Sequence, residues 1–253
     1  MTDFSLHHEG SQLELRLTPW DRKALGMVTA EITRLHALQA EALPVLLDAA
    51  QQWCRQHDVA YLFGRIDAND HLHRAGLLDH GFAFVEVSMT VSRNGFAELP
   101  AVPRGMLPAL RPATVDDIPM LRQIAEQDFV HGRFLEDPAI PQPLARRRTA
   151  NWIEDMVHAG LVQTAEARGT VIGFHAERVD AANHHANLLL TGASSKYAML
   201  ALPLWVTALQ SLQQRGVQRC TTLISAANTG VINLYARLGF QFNSSLTGFR
   251  KFL

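Results

Sequence analysis

The chain has few cysteines, no long apolar run and no excess charge of either sign, and each shortage removes a class of function. Its two cysteines, Cys54 and Cys220, stand far apart without a C-x-x-C or Cys/His pattern. That fits a reducing compartment and argues against zinc, with both side chains expected in the core. Charge is balanced, 23 basic residues against 24 acidic, so no global field favours nucleic acid or an anionic membrane; an anionic ligand must be held locally. The N-terminal Met1-Thr-Asp-Phe-Ser-Leu-His-His-Glu9 lacks a basic region followed by an apolar stretch. No later run approaches the roughly 20 apolar residues of a membrane span. A soluble cytoplasmic protein is expected.

What is present suffices for a real core, with 47% of the 253 residues hydrophobic, and for one large domain or two small ones. The 12 histidines include three local pairs, His7-His8, His71-x-His73 and His184-His185. Adjacent side chains diverge on any regular element and no pair has a spaced third ligand, so no metal is expected. Residues 93 to 108 carry Gly and Pro without periodicity, the mark of a boundary. The expected division is a domain at 1–95, a linker at 96–108 and a second domain at 109–253.

Before the linker the chain reads as helix (Pro44 to His57), strand (Val59 to Ile66), helix (His71 to His80) and alternating strand (Phe82 to Val91). The same order recurs at the C-terminus. At an offset of 158, Val59, Ile66, Ala68, Gly81, Phe82 and Phe84 fall on Val217, Ile224, Ala226, Gly239, Phe240 and Phe242. Ala42-Leu-Pro44 matches Ala201-Leu-Pro203 after one residue of slippage, each with Pro in the first turn of an apolar helix. The two ends read as copies of one unit. Leu77 stands where the second copy has Tyr235, so the first copy reads as a scaffold.

The second domain opens with a short strand and a helix whose start is marked by Thr114 and Asp117. After a Pro-rich insertion come a helix around Thr149 to His158 and strands at Leu161 to Arg168, Thr170 to Val179 and His185 to Thr191. A helix from Pro203 to Arg215, a strand, a helix and a last strand follow. On the last helix Val231, Leu234 and Leu238 form the apolar stripe, with Tyr235 near its edge. Asn228 suits a helix cap. His175 and Glu177 share one face of their strand with Gly173. Arg146-Arg-Arg148 reads as a solvated helix end.

This order from Leu110 to Leu253, with its ending of strand, Asn228, helix, Tyr235 and Gly239-Phe240, resembles the Gcn5-related N-acetyltransferase (GNAT) family. The implied fold class is α/β (α+β mixed sheet): a GNAT acyl-CoA N-acyltransferase fold preceded by a partial GNAT-like half-domain, since the N-terminal repeat resembles only the second half of the fold. A half-domain before a whole one, and the segment Arg133-Phe-Leu-Glu-Asp-Pro138, resemble the dTDP-fucosamine acetyltransferases within that family.

The resemblance implies an acetyl-CoA-dependent N-acetyltransferase acting on a primary amine, a nucleotide-linked amino sugar being one candidate. Backbone N–H groups at the end of strand Leu189-Leu-Thr-Gly192 would meet the acyl carbonyl, which makes Leu190, Thr191 and Gly192 acyl-CoA ligands. Tyr235 matches the family's general acid, a hydroxyl of reference pKa about 10 that keeps its proton for the leaving thiolate. Asn228 either caps its helix or bonds the pantetheine arm. The family's pyrophosphate loop, Gln/Arg-x-x-Gly-x-Gly/Ala, is replaced by Ala198-Met-Leu-Ala-Leu-Pro203. Only the backbone of Met199, Leu200, Ala201 and Leu202 remains to cradle phosphate, beside Ser194, Ser195 and Lys196. Arg133, Asp137, His175 and Glu177 are the candidate acceptor-site residues, with His131 and Glu136 further candidates for the base. Neither metal nor nucleic acid is implied, and a homodimer is allowed. The rival expectations are a non-catalytic acyl-CoA-binding scaffold and an acetyltransferase of peptide N-termini or polyamines.

Overall fold

The structure, a computed structural model, describes residues 3–253. In chain order the elements are β1 (Phe4–His8), β2 (Ser11–Leu17), α1 (Pro19–Leu25), β3 (Val28–His36), α2 (Ala42–Gln56), β4 (Val59–Asp67), α3 (His71–Asp79) and β5 (Ala83–Asn94). Then follow β6 (Ala109–Pro112), α4 (Ile118–Asp128), α5 (Arg133–Glu136), α6 (Gln142–His158), β7 (Val162–Ala167), β8 (Thr170–Asp180) and β9 (His185–Ala193). The chain ends with α7 (Ala201–Gln214), β10 (Arg219–Ser225), α8 (Thr229–Arg237) and β11 (Gln241–Phe252). It divides into two compact units: the described residues up to Ser88 with Gly132–Leu144 and Ser244–Leu253, and Met89–His131 with Ala145–Asn243. The division falls inside β5 and β11.

In unit 1 the strand order is β1-β2-β3-β4-β11, antiparallel except where β3 runs parallel to β4. Helix α2 exists because Leu43, Leu46, Leu47, Ala50, Trp53 and Cys54 fall on one face, and all six are buried. They pack with Leu13 and Leu15 of β2, Leu62 of β4 and Phe249 of β11. Each large side chain so buried contributes about 1.5–3 kcal/mol. Segment Gly132–Leu144 belongs to this unit through Asp137, which is fully buried, accepts from Tyr61 Oη at 2.8 Å and pairs with Arg250 Nε at 3.2 Å. Arg133 lies 3.9 Å over the Phe63 ring.

Unit 2 has the strand order β5-β10-β9-β8-β7-β6. One core joins Trp205, Leu209 and Leu212 of α7 to Tyr235, Leu238 and Phe240, and a second joins Leu121 and Ile124 of α4 to Ile153 and Phe174. Residues 96–107 contribute to the first: Phe96 is buried, and Leu99, Val102 and Leu107 pack against it. The box at Thr114 and Asp117 forms as read, around a short 3-10 turn that leads into α4.

The repeat is carried by whole elements. Helices α3 and α8 are both nine residues long and start 158 residues apart, and β5 and β11, both of 12 residues, keep the same offset. The N-terminal copy also extends further back than helix, strand, helix, strand: β1, β2, α1 and β3 precede it. The signal was there, in Leu13, Leu15 and Leu17 alternating with polar residues after the Glu9-Gly10 turn, both residues of which have positive φ.

Candidate active site

Strands β9 and β10 are paired only at His185↔Arg219, Ala186↔Cys220 and Asn187↔Thr221. Beyond Asn187, β9 continues to Ala193 held by β8, and among the described residues its other edge has no strand partner there. A cavity of about 290 Å³ opens at this parting, walled by Thr191, Gly192 and Ala193 of β9, by Ala201, Leu204 and Trp205 at the start of α7, and by Asn228, Val231 and Leu234 at the start of α8. The segment Asp128–His131 after α4 supplies the remaining wall. Two close approaches fix this geometry. A Cβ on Gly192 would lie 2.6 Å from the Phe129 ring, and one on Gly173 would lie 2.3 Å from the Gly192 carbonyl oxygen. Gly192 therefore serves by admitting the Phe129 ring, which stacks on Phe174 at 5.6 Å.

Of the residues singled out in the sequence, His131, Thr191, Gly192, Ala201 and Asn228 meet at this cavity. The Asn228 side chain accepts from the Val231 N–H at 3.1 Å and so caps α8. Leu190, Leu200 and Leu202 pack against the cores, and Met199 is exposed. Arg133 and Asp137 do not line the cavity; they are engaged within unit 1 as described. Asp128, Phe129 and Trp205 were not foreseen. The Trp205 position is legible as the buried face of α7; of the 128–131 turn, only His131 stands out in the sequence, and nothing local marks Asp128 or Phe129 as wall.

Tyr235 is the buried centre of α8 rather than its edge, at 3% exposure. Val231 and Leu234, read as the stripe, instead face the cavity. The Tyr235 ring stacks on Phe240 at 4.5 Å and meets Trp205 edge-on at 4.9 Å. Burial pushes its hydroxyl well above the ordinary phenol value, and the neighbouring Cys220 adds to the rise; a hydrogen bond with Thr222 opposes it.

His175 and Glu177 form a buried chain that ends at the cavity wall. His175 is fully buried, its Nδ1 2.7 Å from Thr191 Oγ1 and its Nε2 2.7 Å from Glu177 Oε2. Arg215 ion-pairs with the other Glu177 oxygen, and Gln163 Nε2 donates to it at 3.1 Å. Burial alone would raise the Glu177 carboxyl; the hydrogen bonds and charges of His175 and Arg215 outweigh it and hold the group below its ordinary value.

No family model matches the sequence, and a search of curated proteins gives no match. Solved structures do match. A GCN5-related N-acetyltransferase from Sphaerobacter thermophilus superposes with a TM-score of 0.67 at 16% identity, over 95% of this chain and 76% of that one. A tandem GNAT protein from the clavulanic acid biosynthesis pathway gives 0.63 at 16% identity, over 97% and 81%. The glucosamine N-acetyltransferase region of a fungal multi-domain GH3 β-N-acetylglucosaminidase gives 0.66 at 11%, over 94% and 31%. The fold is that of the GCN5-related N-acetyltransferases. The tandem neighbour accords with the repeat seen in this chain.

The two ends of the cavity differ in the backbone they present. The edge of β9 beyond Asn187 has no strand partner among the described residues. The start of α7 offers fewer donors. Residues 195–200 form 3-10 turns interrupted by non-helical backbone at Tyr197 and leading into the helix, the Ala201 N–H is already donated to the Ala198 carbonyl, and Pro203 has no N–H.

Proposed function

We propose that the chain is an acetyl-CoA-dependent N-acetyltransferase whose reaction takes place in the unit 2 cavity. The observation that carries this is the parting of β9 from β10 after Asn187, with the cavity at the point of divergence. An acyl carbonyl set against the free edge of β9 would meet backbone donors where negative charge develops. A primary amine approaching past Asp128 and His131 would form the C–N bond as the C–S bond breaks. Met199, Leu200, Ala201 and Leu202 then serve the nucleotide end by backbone contacts alone, and diphosphate recognition leans on side chains such as Lys196 rather than on a helix-start nest.

Tyr235 is the proton donor for the departing thiolate in this reading. It stays protonated at neutral pH, and its ring abuts Trp205 of the cavity wall. The role requires its hydroxyl to turn from Thr222. The catalytic part is residues 109–253 and the part at 1–95 is a scaffold: the cavity beside its parallel strands β3 and β4 measures only about 10 Å³, and Leu77 fills the place of Tyr235. The acceptor class we favour is an amino sugar, in keeping with the glucosamine-acetylating neighbour. Among the described residues no Arg or Lys lines the cavity, so a nucleotide on that sugar would bind outside it.

Isothermal titration with acetyl-CoA and with CoA tests the reading. Binding of both supports it; binding of neither ends it. Binding without thiol release in the presence of any primary amine would favour the non-catalytic acyl-CoA-binding scaffold, a reading supported by the poor donor set at the start of α7.

A further inference from the structure

A hydroxyl at the cavity wall, a buried imidazole behind it and a buried carboxylate behind that are hydrogen-bonded in one line in unit 2. Thr191 Oγ1 touches His175 Nδ1, and His175 Nε2 touches Glu177 Oε2, each at 2.7 Å. The register that brings them together is the cross-strand pair His175↔Thr191, with Glu177 two residues further along β8. The imidazole has no exposed surface, and Thr191 is the member of the line that belongs to the cavity wall.

We propose that Thr191, His175 and Glu177 form a proton relay that takes the proton from the attacking amine; the proposal rests on the acetyltransferase reading above. An alkylamine is protonated at neutral pH; it leaves one proton to bulk water to become the free amine, and that free amine sheds a second proton as it bonds to the acyl carbon. With Glu177 ionised and accepting, the His175 proton sits on Nε2 and the Nδ1 lone pair faces the Thr191 hydroxyl. As the amine nitrogen bonds to the acyl carbon, its proton passes to Thr191 Oγ1 and the hydroxyl proton passes to His175 Nδ1. The C–S bond breaks, and the CoA thiolate takes its proton from the donor side of the cavity. The resulting imidazolium is held by Glu177 until the proton returns through Thr191 to water. Thr191 touches the substrate; His175 and Glu177 act through it as positioning residues.

Polar, ionisable and aromatic groups face the imidazole from the elements packed on it. Glu177 faces His175 from the same strand, Thr191 from β9 and the Trp205 ring from α7 at 5.8 Å. Arg215, just past the end of α7, pairs with Glu177, and Cys220 of β10 lies near that carboxylate with its thiol pushed up to about 12 by burial, hence neutral. A cross-strand hydrogen-bond ladder with no chemical part is the competing account, and it predicts no dependence on the nucleophile.

The test uses two small probes with acetyl-CoA and the full chain. Both probes lose an N–H proton as the amide forms, but the adduct on the more basic ethanolamine nitrogen holds its proton and needs a base, whereas the more acidic hydroxylamine adduct sheds it to water. Thiol release is followed for each across pH 5.5 to about 9. Expected is transfer to both by the natural chain, with an ethanolamine rate that still falls on the acid side after division by the free-amine fraction at each pH. His175→Gln, which keeps an N–H donor for Glu177 but no imidazole, should slow ethanolamine about 100-fold and remove that corrected fall, with a much smaller loss for hydroxylamine. Thr191→Val should slow ethanolamine likewise, and Thr191→Ser should restore the ethanolamine rate and its corrected acid-side fall, which keeps the test open if the buried histidine variant does not fold. Equal loss for both probes, an acid-side fall that survives His175→Gln after correction for the free-amine fraction, or a natural chain that binds acetyl-CoA yet transfers to neither probe overturns the relay while the acyl-CoA site stands. Failure of the natural chain to bind acetyl-CoA overturns the underlying function as well.

Discussion

Asp70 and Asn228 stand 158 residues apart and cap their helices in the same way, each side chain accepting from the backbone N–H three residues on, Asp70 from His73 at 3.0 Å and Asn228 from Val231 at 3.1 Å. Losing either cap should cost about 1 kcal/mol, a fall in Tm of about 2–4 °C for a chain of this size. Asn228 also lines the cavity, so Asn228→Ala should weaken acetyl-CoA binding and Asp70→Ala should not. Calorimetric titration of both variants checks this; equal losses would place the ligand elsewhere.

Gly173 sets the shape of the cavity edge. A methyl group there meets the Gly192 carbonyl at 2.3 Å and the Ala193 Cα at 2.8 Å, both backbone atoms that cannot rotate away. Gly173→Ala should destabilise by about 1–3 kcal/mol and weaken acetyl-CoA binding. Gly105, with nothing within 4 Å of an added Cβ, is the control and should change stability by less than about 0.5 kcal/mol. Urea unfolding with matched ligand titrations reads both.

Replacing Tyr235 by Phe removes the hydroxyl and its bond to Thr222 but leaves the ring packed on Phe240 and Trp205. As proton donor, its loss should lower kcat about 100-fold with acetyl-CoA affinity within about threefold. A kcat within about threefold of the natural chain would leave Tyr235 a packing residue.

Asp117 is held well below its ordinary value, chiefly by the Arg111 hydrogen bonds at 2.7 and 2.8 Å, with Thr114 contributing, against a smaller opposing effect of burial. A carboxyl depressed in the folded state stabilises above its unfolded pKa of about 3.9, and that stabilisation drains away as pH falls toward the folded value. Asp117→Asn should therefore cost about 1 kcal/mol at pH 7, with the gap to the natural chain narrowing below about pH 4. Urea midpoints at several pH values test the sign; a gap that widens in acid would contradict it.

The repeated elements were readable because Gly81 and Gly239, Phe82 and Phe240, and the two Pro-led helices sit in strongly periodic stretches. Asn228 as a cap and the His175/Glu177 face followed from short-range spacing. What depends on distant pairing was not readable. Residues 246–252 of β11 pair with β4 in unit 1, and no local pattern encodes that partner. Thr191 joins His175 only through a register set by a bulge between Ala176 and Glu177. The first copy reads in sequence as only the second half of the fold. It has the parallel pair β3 and β4, and what it lacks is space: an added Cβ on Gly64 would lie 2.9 Å from Ile32. Tyr235 was misjudged as marginal because α8 turns two apolar residues toward a cavity, and hydrophobicity alone does not tell such a wall from a core.

A crystal structure of the chain soaked with acetyl-CoA tests the central claim most directly. The account predicts one molecule per chain, with its acyl carbonyl against the free edge of β9 between Leu190 and Gly192 and its arm passing Asn228. Acetyl-CoA bound instead beside β3 and β4, or a β9 edge left empty at saturating ligand, would contradict it.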